Sequence, residues 1–393
     1  MHRRHILAAA VAAGLAAGAG IGGAQAQTPV KIGMITTLSG PGGYLGADIR
    51  DGFQLAIDME NGRLGGVPVQ LLVEDDGFRP PQGKEIAERY LRNEGVKLVT
   101  GIIFSNIAGA AVPDVLDAGA FYISPNAAPS NFAGPECHPN YFVVSWQNDN
   151  LHESAGQATQ ELGYRRAFIL APNYQAGRDA LTGFKRQFKG EVVGEVYTRL
   201  DQTDYAAEMA QIRAANPDVV FQFHPGGLGI SFLRQYQQSG LLATIPMVVA
   251  APSMDHTIMT TVGDSAVGIH LTSHWFDDFD NAANRRFVEA FRAKHNRMPT
   301  AYAAQSYDTA LAIGAALRRT GGSLDNAEAF RTAMKAADFQ SVRGPFRFNT
   351  NNHPIQDWWM GRVEKAPDGT LFMRTMRKVL ENHADVYAAR CRF

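Results

Sequence analysis

The stretch at 30–58, VKIGMITTLSGPGGYLGADIRDGFQLAID, constrains the fold more than any other. It reads as a strand in which Ile32, Met34 and Thr36 alternate with Lys31, Gly33 and Ile35, followed by a Gly-Pro-Gly-Gly turn. A helix follows, with Ile49, Phe53, Ala56 and Ile57 on one face at helical spacing. A strand that enters a helix through glycines leaves backbone N–H groups pointing beyond the sheet edge, and the positive helix end favours an anion there. A dinucleotide fingerprint, G-x-G-x-x-G, would need glycine at position 45, where this chain has Leu45. Only the acidic Glu74-Asp75-Asp76 cluster after the next strand speaks for that rival. On local sequence alone, a plain tight turn and an anion site are equal readings of Gly42-Gly43.

The same unit repeats along the chain. Strands are expected at 67–75, 98–103 and 120–124, with helices at 83–93 and 107–117 between them. This β-α-β-α order requires right-handed crossovers and a parallel sheet covered on both faces, with ligands beyond the C-terminal strand ends. Those ends fall at 39–44, 75–78, 104–106 and 125–130. Ser105 and Asn106, with Asn126-Ala127-Ala128-Pro129-Ser130, offer hydroxyls, amides and free N–H groups that suit a carboxylate. Helix capping is an equal reading of Ser105 or Ser130 taken singly. After a loop at 131–140 and a strand at 141–146 the alternation restarts, with helices at 152–162, 178–188, 205–215 and 229–239 and strands at 167–171, 192–197, 219–223 and 246–250. Two halves of one α/β architecture therefore meet near Trp146. A third block adds helices at 282–295, 303–319 and 327–336 and a strand at 346–349. The last block is two strands, 358–363 and 371–379, around Pro367-Asp368-Gly369.

A chain of 393 residues with 45% hydrophobic and 19% charged residues has room for two domains. A net charge of -1 provides no field to gather nucleic acid or an acidic membrane. The first 26 residues differ: His2-Arg3-Arg4-His5 is basic, 6–21 is rich in Ala, Leu and Gly, and Ala24-Gln25-Ala26 fits a cleavage site. A signal peptide at 1–26 is expected, by the general export route although Arg3-Arg4 hints at the twin-arginine one. No later apolar run has spanning length, and no cysteine near the cleavage site could carry a lipid, so the periplasm is the expected location. In that oxidising compartment the isolated pair Cys137 and Cys391 favours a disulfide tying the C-terminal tail to the body, with two unpaired thiols as the alternative.

Enzyme readings find little support. No G-x-S-x-G, H-E-x-x-H, C-x-x-C or G-x-x-x-x-G-K-[ST] occurs, although eleven histidines invite the search. His152-Glu153 lacks a partner histidine, His270 and His274 merely bracket Thr272, and the adjacent Asp75-Asp76 point to opposite strand faces. Neither enzymatic activity, a cofactor nor a metal is expected.

The segments KIGMITTLSGPGGYLG, LGGVPVQLLVEDD, GVKLVTGIIFS with YISPNAAPS, DYAAEMAQIRAANPDVVF, GDSAVGIHL and AAQSYDTALAIGAAL follow one another through nearly the whole mature chain. In that order they resemble the periplasmic solute-binding proteins of the branched-chain amino-acid type, which serve ABC importers. The resemblance implies a type I periplasmic-binding-protein fold: two Rossmann-like lobes with three hinge crossovers, closing on a small ligand. Lobe 1 would be 28–145 plus 275–351 and lobe 2 would be 146–274 plus 352–393. It further implies ligand contacts from Tyr44, from Ser105 beside Asn106, from Asn126, Ala127 and Ala128, from Tyr174, from Phe223 or His224, and from Tyr302. Amino-acid binders end the 126–128 segment in a threonine, whose hydroxyl is missing here.

The larger departure is in AAPSMDH, where amino-acid binders carry a glutamate for the ligand ammonium and this chain has Ser253, with Asp255 two residues on as the substitute. Burying an ammonium without a carboxylate costs several kcal/mol. A carboxylate without an ammonium, walled by aromatic rings, suits an aromatic acid of the benzoate or hydroxycinnamate type. The segment NFAGPECHPNYFVVSWQNDN also resembles family members associated with such acids. A binder of branched-chain or other amino acids, or a soluble ligand sensor, is the alternative. The expected partners are a small carboxylate and an importer's permease, with no nucleic acid, and the expected state is a monomer.

Overall fold

Two sheets frame the computed structural model, which describes residues 28–393; the expected signal peptide lies outside the described residues. In the first sheet Val30–Thr36 lies between Val67–Asp75 and Leu98–Thr100, followed outward by Phe121–Ser124 and Tyr141–Val143, all parallel. Arg63–Leu64 adds an antiparallel edge. The register is continuous from Val30 opposite Val69 to Thr36 opposite Asp75. Because the chain leaves Val30–Thr36 toward one side and returns to its other side with Leu98–Thr100, the strand order reverses there, and a crevice opens beyond those carboxyl ends.

The second sheet runs Pro354–Lys365, His270–Ser273, Met247–Ala250, Val219–Gln222, Arg166–Pro172 and Glu191–Thr198. The last five are parallel, whereas Pro354–Lys365 and its long partner Leu371–His383 are antiparallel. Strand alternation divides its core in two: Val219, Phe221, Val248 and Ala250 pack toward the first sheet's cluster, while Val220, Met247 and Val249 belong to a second cluster on the opposite face. Helix Ala301–Thr320 packs along Gly43–Met59, so the third sequence block covers the first sheet. Gly46 permits a close approach of its helix to the end of the first strand, since a Cβ there would sit 1.8 Å from the Thr37 carbonyl oxygen.

Six helices begin earlier than the sequence suggests, and three of those shifts bear on the cleft. The helix expected at 107 starts at Ser105, the one expected at 152 starts at Asn148, and the one expected at 303 starts at Ala301. Phe104 and Thr300 make no side-chain cap, and Gln147 caps its helix by accepting from the Asn150 N–H, a residue type outside the usual cap set. The final two strands run longer than expected, as Pro354–Lys365 and Leu371–His383.

The crossovers are bound to one another. Val143 N donates to the Asn352 carbonyl at 3.0 Å, and Gln356 Nε2 donates to the Ser145 carbonyl at 3.0 Å. Cys137 and Cys391 form a disulfide, as the cysteine count suggests.

Asp76, at the end of the second strand, is buried and accepts from Thr37 Oγ1 at 2.7 Å and from Phe78 N at 2.9 Å, with Oδ2 unpaired. Burial outweighs both hydrogen bonds and pushes its pKa from 3.8 up to about 6. Between those values the folded chain keeps a proton that the unfolded chain has released, so this group's contribution to stability falls as pH rises through the window and is constant above it. Asp76→Asn is expected to flatten that part of the profile. Thermal melts of both proteins at pH 4 to 7 check this, and parallel curves would refute it.

Candidate ligand-binding cleft

Loops at the carboxyl ends of both sheets line a small, partly open cavity. Ser105, Asn126 and Ala127 reach it from the first sheet, joined by Tyr302 from the returning helix. Tyr174 and Phe223 reach it from the second. Six of the residues singled out in the sequence therefore meet here.

Ser105 opens a 13-residue helix. The first bonds of that helix are from Ile107 N and Ala108 N to the Phe104 carbonyl, so the N–H groups of Ser105 and Asn106 precede its ladder, where the dipole favours negative charge. Ser105 Oγ accepts from Asn148 Nδ2 at 3.1 Å and keeps its own hydrogen to donate. Asn126 is fixed at both ends of its amide: Nδ2 donates to the Ile103 carbonyl at 2.7 Å, and Oδ1 accepts from Gln305 Nε2 at 2.8 Å. The neighbouring backbone is spent internally, because Ala127 N donates to the Ile102 carbonyl and Ala128 N to Asn148 Oδ1. An anion at this end would meet Ser105 and the helix terminus rather than the N–H groups of 127 and 128.

Aromatic faces form the walls. Tyr174 and Phe223 lie nearly parallel with centroids 6.3 Å apart, and Trp146 stands edge-on to Tyr302 at 6.0 Å. Burial raises the phenol pKa of both Tyr174 and Tyr302 and lowers that of the lining His152 to about 3, so all three are neutral at pH 7. The lining contains no Asp, Glu, Lys or Arg.

The model of the periplasmic binding protein family matches residues 29–369. The chain belongs to the periplasmic binding protein family. Its fold is the type I fold of that family, and it is a solute-binding protein of the ABC-transporter type. A solute-binding protein from R. palustris, solved in complex with benzoate, is 27% identical with a TM-score of 0.88, covering 93% of this chain and 100% of that one. A second from R. palustris, in complex with 4-hydroxybenzoate, is 26% identical with a TM-score of 0.83 over 91% and 98% of the two chains. Among curated proteins, Leu/Ile/Val-binding protein homolog 6 of Brucella melitensis is 26% identical over 88% of this chain and 91% of its own length.

In this periplasmic binding protein the remaining expected residues lie off the cavity wall. Tyr44 donates its hydroxyl to Asp255 Oδ2 at 2.8 Å, and Asp255 also caps helix His256–Val262 by accepting from Ile258 N at 2.8 Å. Ser253 Oγ accepts from His224 N at 2.9 Å. The His224 ring is paired with Thr198 and Gln222 and stacks on Phe232, and burial lowers its pKa to about 3. Asn106 Oδ1 is buried without a partner, and Ala128 is buried beside Asn148. Lining residues that the sequence did not mark as ligand contacts include Trp146, Asn148 and His152. Their one signal was the placement of Asn148, Leu151 and His152 at i, i+3 and i+4 of a helix whose start was read four residues late.

Proposed function

We propose that the cleft captures a small aromatic carboxylic acid, of the benzoate or hydroxycinnamate class, in the periplasm and delivers it to the permease of an ABC importer. One observation carries this reading: aromatic faces and neutral donors line the cavity, with no Asp, Glu, Lys or Arg among the lining residues. A carboxylate can be held by the Ser105 hydroxyl and the helix terminus, while an amino acid's ammonium would go unpaired, at a cost of several kcal/mol. Asp255, the substitute for the missing glutamate, is already engaged by Tyr44 and the Ile258 N–H. The benzoate-bound relative supports the aromatic reading. The names of curated relatives favour the second reading, a Leu/Ile/Val binder in which Asp255 turns toward the ligand.

The lobes we propose are 28–145 plus 275–351 and 146–274 plus 352–393, a division the two sheets follow except for Arg347–Phe348, which pairs with Pro354–Lys365 of the second sheet. On that division Tyr44–Asp255 and Ser130–Asp179, the latter with Ser130 Oγ donating to Asp179 at 2.7 Å, are contacts across the closed cleft. Ligand held by both lobes stabilises this closed form.

Thermal-shift measurements with benzoate, hydroxycinnamate and leucine test the reading. Stabilisation by the aromatic acids and little by leucine is expected. Tight leucine binding would replace the first reading by the second. Ser105→Ala is expected to weaken aromatic-acid binding by about 1–3 kcal/mol, measured by calorimetry; unchanged affinity would return Ser105 to a structural role.

A further inference from the structure

Helix Asn148–Glu161 presents Asn148, Leu151 and His152 to the cavity. Asn148 belongs to the carboxylate end, because its Nδ2 donates to Ser105 Oγ. His152 stands one turn farther along. Four residues of helix advance about 6 Å, which matches the span from a carboxyl carbon to a phenol oxygen across a benzene ring. Leu151, between the two, offers an apolar contact for the ring itself.

His152 is 1% exposed, and its Nδ1 is buried without a hydrogen-bond partner among the described residues. Its ring sits edge-on to Phe223 at 4.7 Å and to Phe221 at 5.7 Å, in surroundings that a phenylalanine would suit as well. A buried polar ring among aromatic neighbours costs free energy unless a partner arrives. Since an unpaired buried acceptor is tolerated better than an unpaired N–H, the hydrogen belongs on Nε2, the nitrogen left for the cavity.

We propose that His152 reads a hydroxyl group on the ligand's ring, making ring-hydroxylated aromatic acids the preferred solutes of this cleft. The inference rests on the aromatic-acid reading above. The imidazole donates to the phenol oxygen at the end of the ring remote from Ser105. Burial keeps the imidazole neutral, as a neutral phenol requires, so a second carboxylate in that place would find no counter-charge.

Calorimetry on the mature chain with benzoate, 4-fluorobenzoate, 3-hydroxybenzoate and 4-hydroxybenzoate decides the matter. At least one hydroxybenzoate is expected to bind about tenfold tighter than benzoate and 4-fluorobenzoate. His152→Phe should reduce that preference to about twofold or less, and His152→Gln, which keeps a donor, should restore part of it. If the variants fail to fold, nitrogen-15 spectra of the wild-type histidines serve instead, with the His152 signals moving on addition of the preferred hydroxybenzoate and not of benzoate. Equal affinity of the wild type for benzoate and both hydroxybenzoates, or a preference that survives His152→Phe, would overturn the role of His152 and leave the aromatic-acid reading standing. Failure of every aromatic acid to bind, with leucine binding, would overturn both.

Discussion

Arg343→Met is expected to lower the unfolding free energy by about 3–5 kcal/mol, because it leaves a buried carboxylate without its counter-ion. The Arg343 guanidinium is buried; its Nε donates to Asp308 Oδ2 at 3.0 Å. Its Nη1 donates to the Ser145 carbonyl at 3.1 Å and to Gln356 Oε1 at 2.8 Å, and its Nη2 donates to the Val144 carbonyl at 2.7 Å. Asp308 also accepts from Val342 N at 3.0 Å and from the Ser341 hydroxyl. Burial raises the Asp308 pKa, and the Arg343 charge is the largest influence opposing that rise.

Removing the cation strands the Val144 carbonyl as well, whereas the Ser145 carbonyl still receives Gln356 Nε2. Arg343→Met combined with Asp308→Leu should recover much of the loss, since exchanging both members of a buried pair for apolar groups is often neutral. Urea unfolding of the single and double variants measures this. A single variant within about 1 kcal/mol of the wild type would mean that water reaches the pair and screens it. Because Arg343 grips 144–145 and Gln356 together, it joins two crossovers at the root of the cleft, and stability and hinge geometry rest on one side chain.

The fold was legible because its signals are local. Short apolar runs such as Val219–Gln222, separated by amphipathic helices and punctuated by glycine, admit few arrangements other than a parallel sheet covered on both faces. The cleft was legible where it is built from strand ends of the first sheet, so Ser105, Asn126 and Ala127 follow from topology, whereas Tyr174 and Phe223 were reached only through the family resemblance. It was not legible on the crossover helix, because Gln147 does a cap's work without belonging to the usual cap residues, so Asn148 reads as loop and His152 only as a helix start without a partner histidine. Nor could sequence pair Tyr44 with Asp255, 211 positions apart: each alone looks like a ligand contact, and only the fold brings the hydroxyl and the carboxylate to 2.8 Å. Spacing finds residues that share an element, whereas satisfaction of one buried group by another is a property of the assembled chain.

Reduction of the Cys137–Cys391 disulfide is expected to cost about 2–5 kcal/mol of stability while leaving ligand affinity nearly unchanged. The bond spans 254 residues, so it restricts the unfolded chain over most of its length, and the closure entropy grows only slowly beyond that. The folded tail has other anchors. Tyr387 donates its hydroxyl to Asp149 Oδ2 at 2.6 Å and accepts from Arg186 Nη2 at 3.0 Å, while Asn351 Nδ2 donates to both Asp385 oxygens at 3.1 Å. Arg186 also pairs with Asp149 and Glu153, and His383 reaches Glu153. With these contacts intact the reduced protein keeps the tail in place, and the helix that carries Asn148 and His152 keeps its support from Arg186. Melting temperature and aromatic-acid affinity, measured with and without reductant and for the Cys137→Ser/Cys391→Ser double variant, separate the two effects. A lower melting temperature with affinity unchanged within about threefold is the expected pair of results. An unchanged melting temperature would show that the unfolded chain is already compact around these residues, and an affinity loss of tenfold or more would show that the tail holds the cleft through the bond itself.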